Sequence, residues 1–196
     1  ITGGTLGRGG TETNDHSFGS LTINSGGTYD ATSGTTTITS ETAGGFAIDH
    51  DGTLTANSGL INITTGDDTN VDIAASGNLY DIEISSGNAV YWTTDTTIDN
   101  DVIVSSGTFT AASATRAITV TGDVDVTGTL GAGGWTAAAS FGSLTINSGG
   151  TYSATSGTTT LTDASPAGQS FSNSGTFTHN NGLVNITKAG STKIQQ

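Results

Sequence analysis

The chain of 196 residues has no cysteine and no methionine, and Pro166 is its only proline. Without cysteine no disulfide can hold the fold, so stability has to come from backbone ladders and stacked side chains. The lack of cysteine leaves the compartment open. Basic residues are scarce as well: Arg8, Arg116, Lys188 and Lys193 stand against 17 acidic residues, a formal net charge of −13. That balance argues against binding a phosphate backbone, and no nucleic-acid partner is expected. No apolar run is long enough to cross a bilayer as a helix and no stretch reads as a signal peptide, so membrane insertion is not expected. No useful length of chain follows a helical period. The start at Ile1 and the want of any Met read as a processed chain, a fragment, or the ordered part of something longer.

Glycine (30), threonine (40) and serine (22) fill much of the chain. This is too polar for a thick globular core, yet Leu, Ile, Val, Phe and Tyr recur too regularly for a disordered tract. Thr, Val, Ile and the aromatics favour strands, while Gly, Asn, Asp and Ser favour turns. The mixture therefore calls for many short strands joined by tight corners.

The main signal is repetition. Phe18–Thr39 (FGSLTINSGGTYDATSGTTTIT) returns as Phe141–Thr162 with two changes in 22 positions, Asp30 to Ser153 and Ile38 to Leu161, at an offset of 123 residues. The same offset relates Gly52–Thr55 to Gly175–Thr178 and Leu60–Thr64 to Leu183–Thr187. Gly4–Gly7 resembles Gly128–Gly131 with one residue of slippage. A weaker copy, Leu79–Gly87, lies 61 residues after Phe18 and 62 before Phe141. The chain thus reads as one continuous array of about three 61-residue units, divided near 1–17 (partial), 18–78, 79–140 and 141–196. It starts and stops in mid-repeat with no polar cap, which points to a slice of a longer protein or to ends that pack on other subunits.

Within each unit the apolar residues alternate, as at Leu21/Ile23, Ile61/Ile63, Ile82/Ile84, Val102/Val104, Ile118/Val120, Val124/Val126 and Leu144/Ile146. Period two over three to six residues marks half-buried strands. The fold class is all-β: a parallel β-solenoid (β-helix), with a tandem antiparallel β-sandwich as the alternative. A sandwich domain runs to about 100 residues around large core aromatics, and the shorter unit and thin core set favour the solenoid. Uneven gaps between apolar segments leave the turn length at two to three turns per unit.

The strings FGSLTINSGG, LYDIEISSGN, GTFTAAS, RAITVTGDV and NSGTFTHNNGLVNIT resemble the β-strand-repeat proteins of large bacterial surface adhesins, which are similar to autotransporter and haemagglutinin-like passenger segments. Comparable strings occur in phage structural proteins. The resemblance covers nearly the whole chain. It implies an extracellular or cell-surface (or virion-surface) β-helical shaft serving display, adhesion or fibre building, with no catalytic residues to carry over.

Candidate chemistry is thin. Asp49-His50-Asp51, Asp67-Asp68, Asp95 with Asp99 and Asp101, and Asp123 with Asp125 could offer oxygens to Ca²⁺. But Asp49-His50-Asp51 becomes Ser172-Asn173-Ser174 in the second copy, and the Gly- and Asp-rich nonapeptide of calcium-binding β-rolls is missing. No cofactor is therefore expected. A polysaccharide-cleaving groove would need a singular carboxylate cluster, and Arg116 has no acidic constellation in sequence, so no enzyme and no catalytic, cofactor or metal residues are expected. His16, His50 and His179 lack metal spacing and read as exposed positions. Thr35/Thr37/Thr39, Thr53/Thr55, Thr108/Thr110, Thr158/Thr160/Thr162 and Thr176/Thr178 would place hydroxyls on strand faces, a surface for ice or glycan if they stacked flat. The simpler reading is hydroxyls paired along the stack. Trp92, Trp135, Tyr29, Tyr80, Tyr91 and Tyr152 read as core or cover rather than sugar platforms. Repeat identity explains the glycosylation sequons at Asn62 and Asn185.

The expected role is a structural or adhesive segment of an extracellular fibre or filament whose open ends continue or stack on neighbours. The alternatives are a phage tail-fibre or decoration protein and an ice- or glycan-binding module. The expected partners are copies of itself, adjacent repeats of a longer chain, or a surface glycan. Of the 17 acidic residues, 16 precede Phe141, an asymmetry the sequence does not account for.

Overall fold

Short alternating strands with glycine corners can bury their apolar side only against other turns of the same chain. The computed structural model describes residues 1–8, 12–73, 77–189 and 193–195. They form a parallel β-solenoid, with no helix among the described residues.

The first face stacks β1 (Gly4–Leu6), β4 (Gly27–Asp30) and β7 (Thr53–Thr55), passes through a bridge at Leu79, and resumes with β12 (Thr96–Ile98), β15 (Ile118–Val120), β18 (Ala139–Phe141), β21 (Thr158–Leu161) and β24 (Leu183–Ile186). The second face runs unbroken through β2 (His16–Phe18), β5 (Thr35–Ile38), β8 (Leu60–Ile63), β10 (Asp81–Ile84), β13 (Val102–Val104), β16 (Asp123–Val126), β19 (Ser143–Ile146), β22 (Gln169–Asn173) and β25 (Lys193–Gln195). The third comprises β3 (Leu21–Ile23), β6 (Phe46–His50), β9 (Thr69–Val71), β11 (Ala89–Trp92), β14 (Thr108–Ala111), β17 (Thr129–Leu130), β20 (Thr151–Ser153) and β23 (Thr176–Thr178). With Leu79 these make 26 positions, between eight and nine turns of three strands.

The core is a set of columns. On the second face Phe18, Ile38, Ile63, Ile84, Val104, Val126 and Ile146 stand one above another, in register, facing inward. Each fully buried Ile, Leu or Val contributes about 1.5–3 kcal/mol relative to exposure. On the third face Trp92 meets Phe109 and Trp135 edge-to-face at 4.8 and 5.5 Å. Trp92, Trp135, Tyr29 and Tyr152 are all core residues.

Turn length varies widely. Ala89 pairs with Thr108 after 19 residues, whereas Leu21 pairs with Ile48 after 27. The strands stay at two to five residues and the corners absorb the difference, which is why no clean period shows in the sequence.

The duplicated block turns out to be one closed turn. The Thr39 N–H donates to Phe18 O at 3.0 Å, and Thr162 to Phe141 at 2.9 Å. Tyr29 and Tyr152, both buried, share a hydroxyl hydrogen bond with Thr36 and Thr159 at 2.8 and 2.7 Å. Asn57 donates to Asp30 Oδ1 and Ala31 O, and Asn180 to Ser153 Oγ and Ala154 O, so the Asp30-to-Ser153 change keeps an acceptor in place.

The two copies nevertheless occupy different faces. Leu21–Ile23 is on the third face, and its counterpart Leu144–Ile146 on the second. Counting Leu79, β19 is 17 positions after β3, five turns and two-thirds. The repeat and the turn are incommensurate, so equal sequence reappears rotated by a third of a turn. From Leu79 to Phe141 the unit takes three whole turns; from Phe18 to Leu79 it falls one strand short of three.

Glycine is required where one turn touches the next. Gly7 and Gly131, equivalent in the two copies, have φ of 107° and 78°, and a Cβ would lie 1.9 Å from Asp30 O and 2.2 Å from Ser153 O. Gly131→Ala is expected to cost about 1–3 kcal/mol through backbone strain and that clash, read as a lower denaturant midpoint. An unchanged midpoint would contradict this packing.

Candidate functional site

The acidic residues separate once folded. Asp49 and Asp51 flank His50, whose side chain lies on the opposite, inward side of β6 over Ile23. His50 is therefore buried, not exposed as its spacing suggested. His16 is half-buried and only His179 is exposed. No group of three His, Cys, Asp or Glu among the described residues converges as a metal site.

Many of the acids instead work at corners. A parallel strand entering a new turn presents a backbone N–H that its own turn cannot satisfy. Asp15 accepts the Thr35 N–H at 2.8 Å, Asp68 that of Ala89 at 2.9 Å, and Asp95 that of Ala117 at 3.0 Å. On the second face these links form a chain. Asp81 Oδ1 accepts the Asp101 N–H at 2.9 Å and the Asn100 amide at 2.8 Å. Asp101 Oδ1 accepts the Asp123 N–H at 2.7 Å, and Asp123 Oδ1 accepts the Ser143 hydroxyl at 2.6 Å. Each bond ties one turn to the next, about 20 residues away. Charge-assisted bonds of this kind are stronger than neutral ones.

The chain of carboxylates carries an electrostatic cost. Asp101 is pushed above the usual carboxylate range by desolvation first, then by the charges of Asp81, Asp123 and Asp125; the Asp123 N–H acts the other way. Asp125 is raised by desolvation and by Asp123, against a bond from Asn147. The exposed Asp163 is lowered, chiefly by its hydrogen bond from Lys188 at 2.7 Å.

Two of the surface depressions formed by described residues bear on these corners. One, of about 490 Å³, is lined by Leu6, Gly7, Arg8, Glu12, Asp15, His16, Ser17 and Phe18. His16 joins Glu12 at 3.2 Å and the Tyr29 hydroxyl at 3.0 Å, and Tyr29 continues to Thr36. Desolvation pushes the Tyr29 phenol up, with Glu12 adding to it and the Thr36 bond opposing it. The phenol is thus a weaker acid than a free tyrosine, the opposite of an activated nucleophile. The other, of about 230 Å³, lies between the corners after β14 and β17 and is walled by Ala, Gly, Ser, Thr and the edge of Trp135. The Trp135 indole N–H donates to the Arg116 carbonyl at 2.9 Å.

The threonine arrays do not build a broad plane. Thr108, Thr129, Thr151 and Thr176 form a single file on the third face, and Thr5, Thr28 and Thr53 another on the first. Thr35 and Thr37 are followed by Leu60 and Asn62. Asn62 and Asn185 hold equivalent outward strand positions, and Asn62 Oδ1 accepts the Ser85 hydroxyl at 2.6 Å.

Comparison of the chain with family models, curated proteins and solved structures gives no match in any of the three.

The sequence reading missed the corner role of the acids. The spacing of Asp81, Asp101 and Asp123, close to one turn each, was the available signal. Asp101 bears the sharpest test. Its raised folded pKa means that the stability it contributes is present below the unfolded carboxylate range and is lost as pH rises through the raised value. Asp101→Asn keeps the acceptor and removes the charge. It is expected to flatten the pH dependence and leave the pH 7 unfolding midpoint at or above the parent's, while Asp101→Ala loses about 1–2 kcal/mol with the hydrogen bond. Equal loss in both variants would show that the charge itself is needed.

Proposed function

We propose that the chain is a structural or adhesive shaft segment of an extracellular surface fibre or filament. The observation that carries this reading is the placement of the duplicated turn. Two nearly identical turns present the same outward residues, such as Thr22, Asn24 and Thr37 in one and Thr145, Asn147 and Thr160 in the other, on faces a third of a turn apart. A site dedicated to one substrate needs one singular arrangement. A shaft needs strands stacked in register at every height, and the parallel closure of each turn supplies this although the corners vary in length. The polar outer surface rich in threonine hydroxyls suits contact with water and with surface glycans. The resemblance to surface-adhesin repeats points the same way.

Antibodies raised against the purified chain and applied as immunogold label to intact native material test the reading. Label along fibres, filaments or a particle surface is the expected outcome, and label on virions alone would assign the shaft to a phage fibre. Label confined to the cell interior would overturn the proposal.

A further inference from the structure

We propose that His50 makes its turn an acid-responsive opening point of the solenoid. As pH falls below the ordinary histidine range, protonation of the imidazole opens the ladder of β3, β6 and β9 while other turns stay closed. The inference goes beyond the shaft reading and does not depend on it.

Burial is the first observation. His50 is 1% exposed and ends β6 with its side chain inside. It pairs with Ile23 on the strand below, and Ile48 is the preceding inward residue of that register. On the strand above, Val71 pairs with Ile48, so the register continued brings the buried Ile73 level with His50. Strands of the chain lie on both sides of β6, so this burial does not depend on what lies beyond either end of the sequence. An imidazolium among these aliphatic side chains gives up its hydration, and burial therefore favours the neutral ring.

The charged groups around it do not reverse that preference. Asp49 and Asp51 flank His50 on β6, but strand alternation puts them on the outward side. β3 has no titratable side chain, and the Ile1 amino group that donates to Thr22 O is of the sign that repels an imidazolium. Above, Asp72 alternates outward between Val71 and Ile73, and its Oδ1 accepts the Thr94 hydroxyl at 3.1 Å. Ala74, Ala75 and Ser76 bring no titratable side chain. Across the core, the phenol of Tyr29 is pushed up by desolvation and stays neutral. Asp49 and Asp51 thus favour the imidazolium most once the strand end has released it to their side.

The second copy supplies the contrast. Ser172-Asn173-Ser174 stands where the first copy has Asp49-His50-Asp51, and Asn173 pairs with Ile146 as His50 pairs with Ile23. Asn173 Oδ1 accepts the Gly175 N–H at 3.1 Å, and its amide does not titrate. One chain therefore holds a titratable and a non-titratable form of the same turn. Because the fold favours the neutral ring, the stability that His50 contributes is fully present above the unfolded histidine value of about 6.5 and is lost as pH falls below it.

Denaturant unfolding of the full chain from about pH 7.5 down to about pH 5 tests this against His50→Asn, which copies the second turn. The parent's unfolding constant is expected to rise relative to the variant's by up to about tenfold per pH unit below about pH 6.5. The difference cancels His16, His179 and the carboxylates, which both chains share. Native-state hydrogen exchange of the parent, corrected for intrinsic rates, locates the opening and decides alone if the variant does not fold. The Asp51 N–H bonds to Ile23 O at 2.7 Å and the Asp72 N–H to Ile48 O at 2.9 Å. Both are expected to lose protection on acidification before the Thr162 N–H, which closes the turn of the other copy. Equal pH slopes in the parent and a folded His50→Asn would overturn the proposal. So would protection at Asp51 and Asp72 that falls no sooner than at Thr162.

Discussion

Closure of the turn is the constraint on which the rest depends. Each strand must come to lie about 4.8 Å above the strand one turn earlier, in parallel register, or neither backbone ladder nor core forms. Thr39 returning to Phe18 and Thr162 returning to Phe141 are the direct expression of this requirement. Given closure, the inward residues fall into columns, and a thin interior of Ile, Val and Leu suffices because each turn shields the next. Variation is driven into the corners, where a turn can gain or lose several residues without disturbing the ladder.

The corners are therefore where polar chemistry collects. A carboxylate at one corner meets the free N–H of the strand above, and Asp81, Asp101 and Asp123 extend this into a file along one face. This accounts for part of the acidic bias. Asp30, Asp72, Glu83 and Asp99 likewise accept side-chain donors from neighbouring turns. The file of charges is stabilised by directed hydrogen bonds and destabilised by desolvation and mutual repulsion, and the raised pKa of Asp101 comes first from desolvation, to which the neighbouring carboxylates add against the Asp123 N–H bond.

Much of the architecture was legible in the sequence because its signals are local. Alternation at Ile61/Ile63 and Val124/Val126 marks strands whichever face they occupy, and the FGSLTINSGG block marks a repeat whatever its phase. The phase itself was not legible. It depends on the summed lengths of corners between Phe18 and Phe141, and a single corner gaining a strand's worth of chain moves all later residues to another face. The inward turn of His50 was hidden for a related reason: two acidic neighbours suggested solvent, whereas strand alternation sends the middle residue inside. Corner acids escaped notice because their partners, backbone N–H groups and polar side chains alike, lie a turn away.

The central claim is the parallel stacking of turns about 22 residues apart. It is tested most directly by cysteine cross-linking, for which the chain has no native thiol background. Asp125→Cys with Thr145→Cys places thiols on adjacent strands of the second face at paired positions. That spacing lies within the roughly 4.4–6.8 Å Cα range that a disulfide accepts. The account expects this pair to oxidise readily in the folded protein, and Thr145→Cys with Thr151→Cys to stay reduced. An antiparallel sandwich would fold 143–146 against 151–153 as a hairpin, so ready oxidation of the second pair and an open first pair would contradict the solenoid.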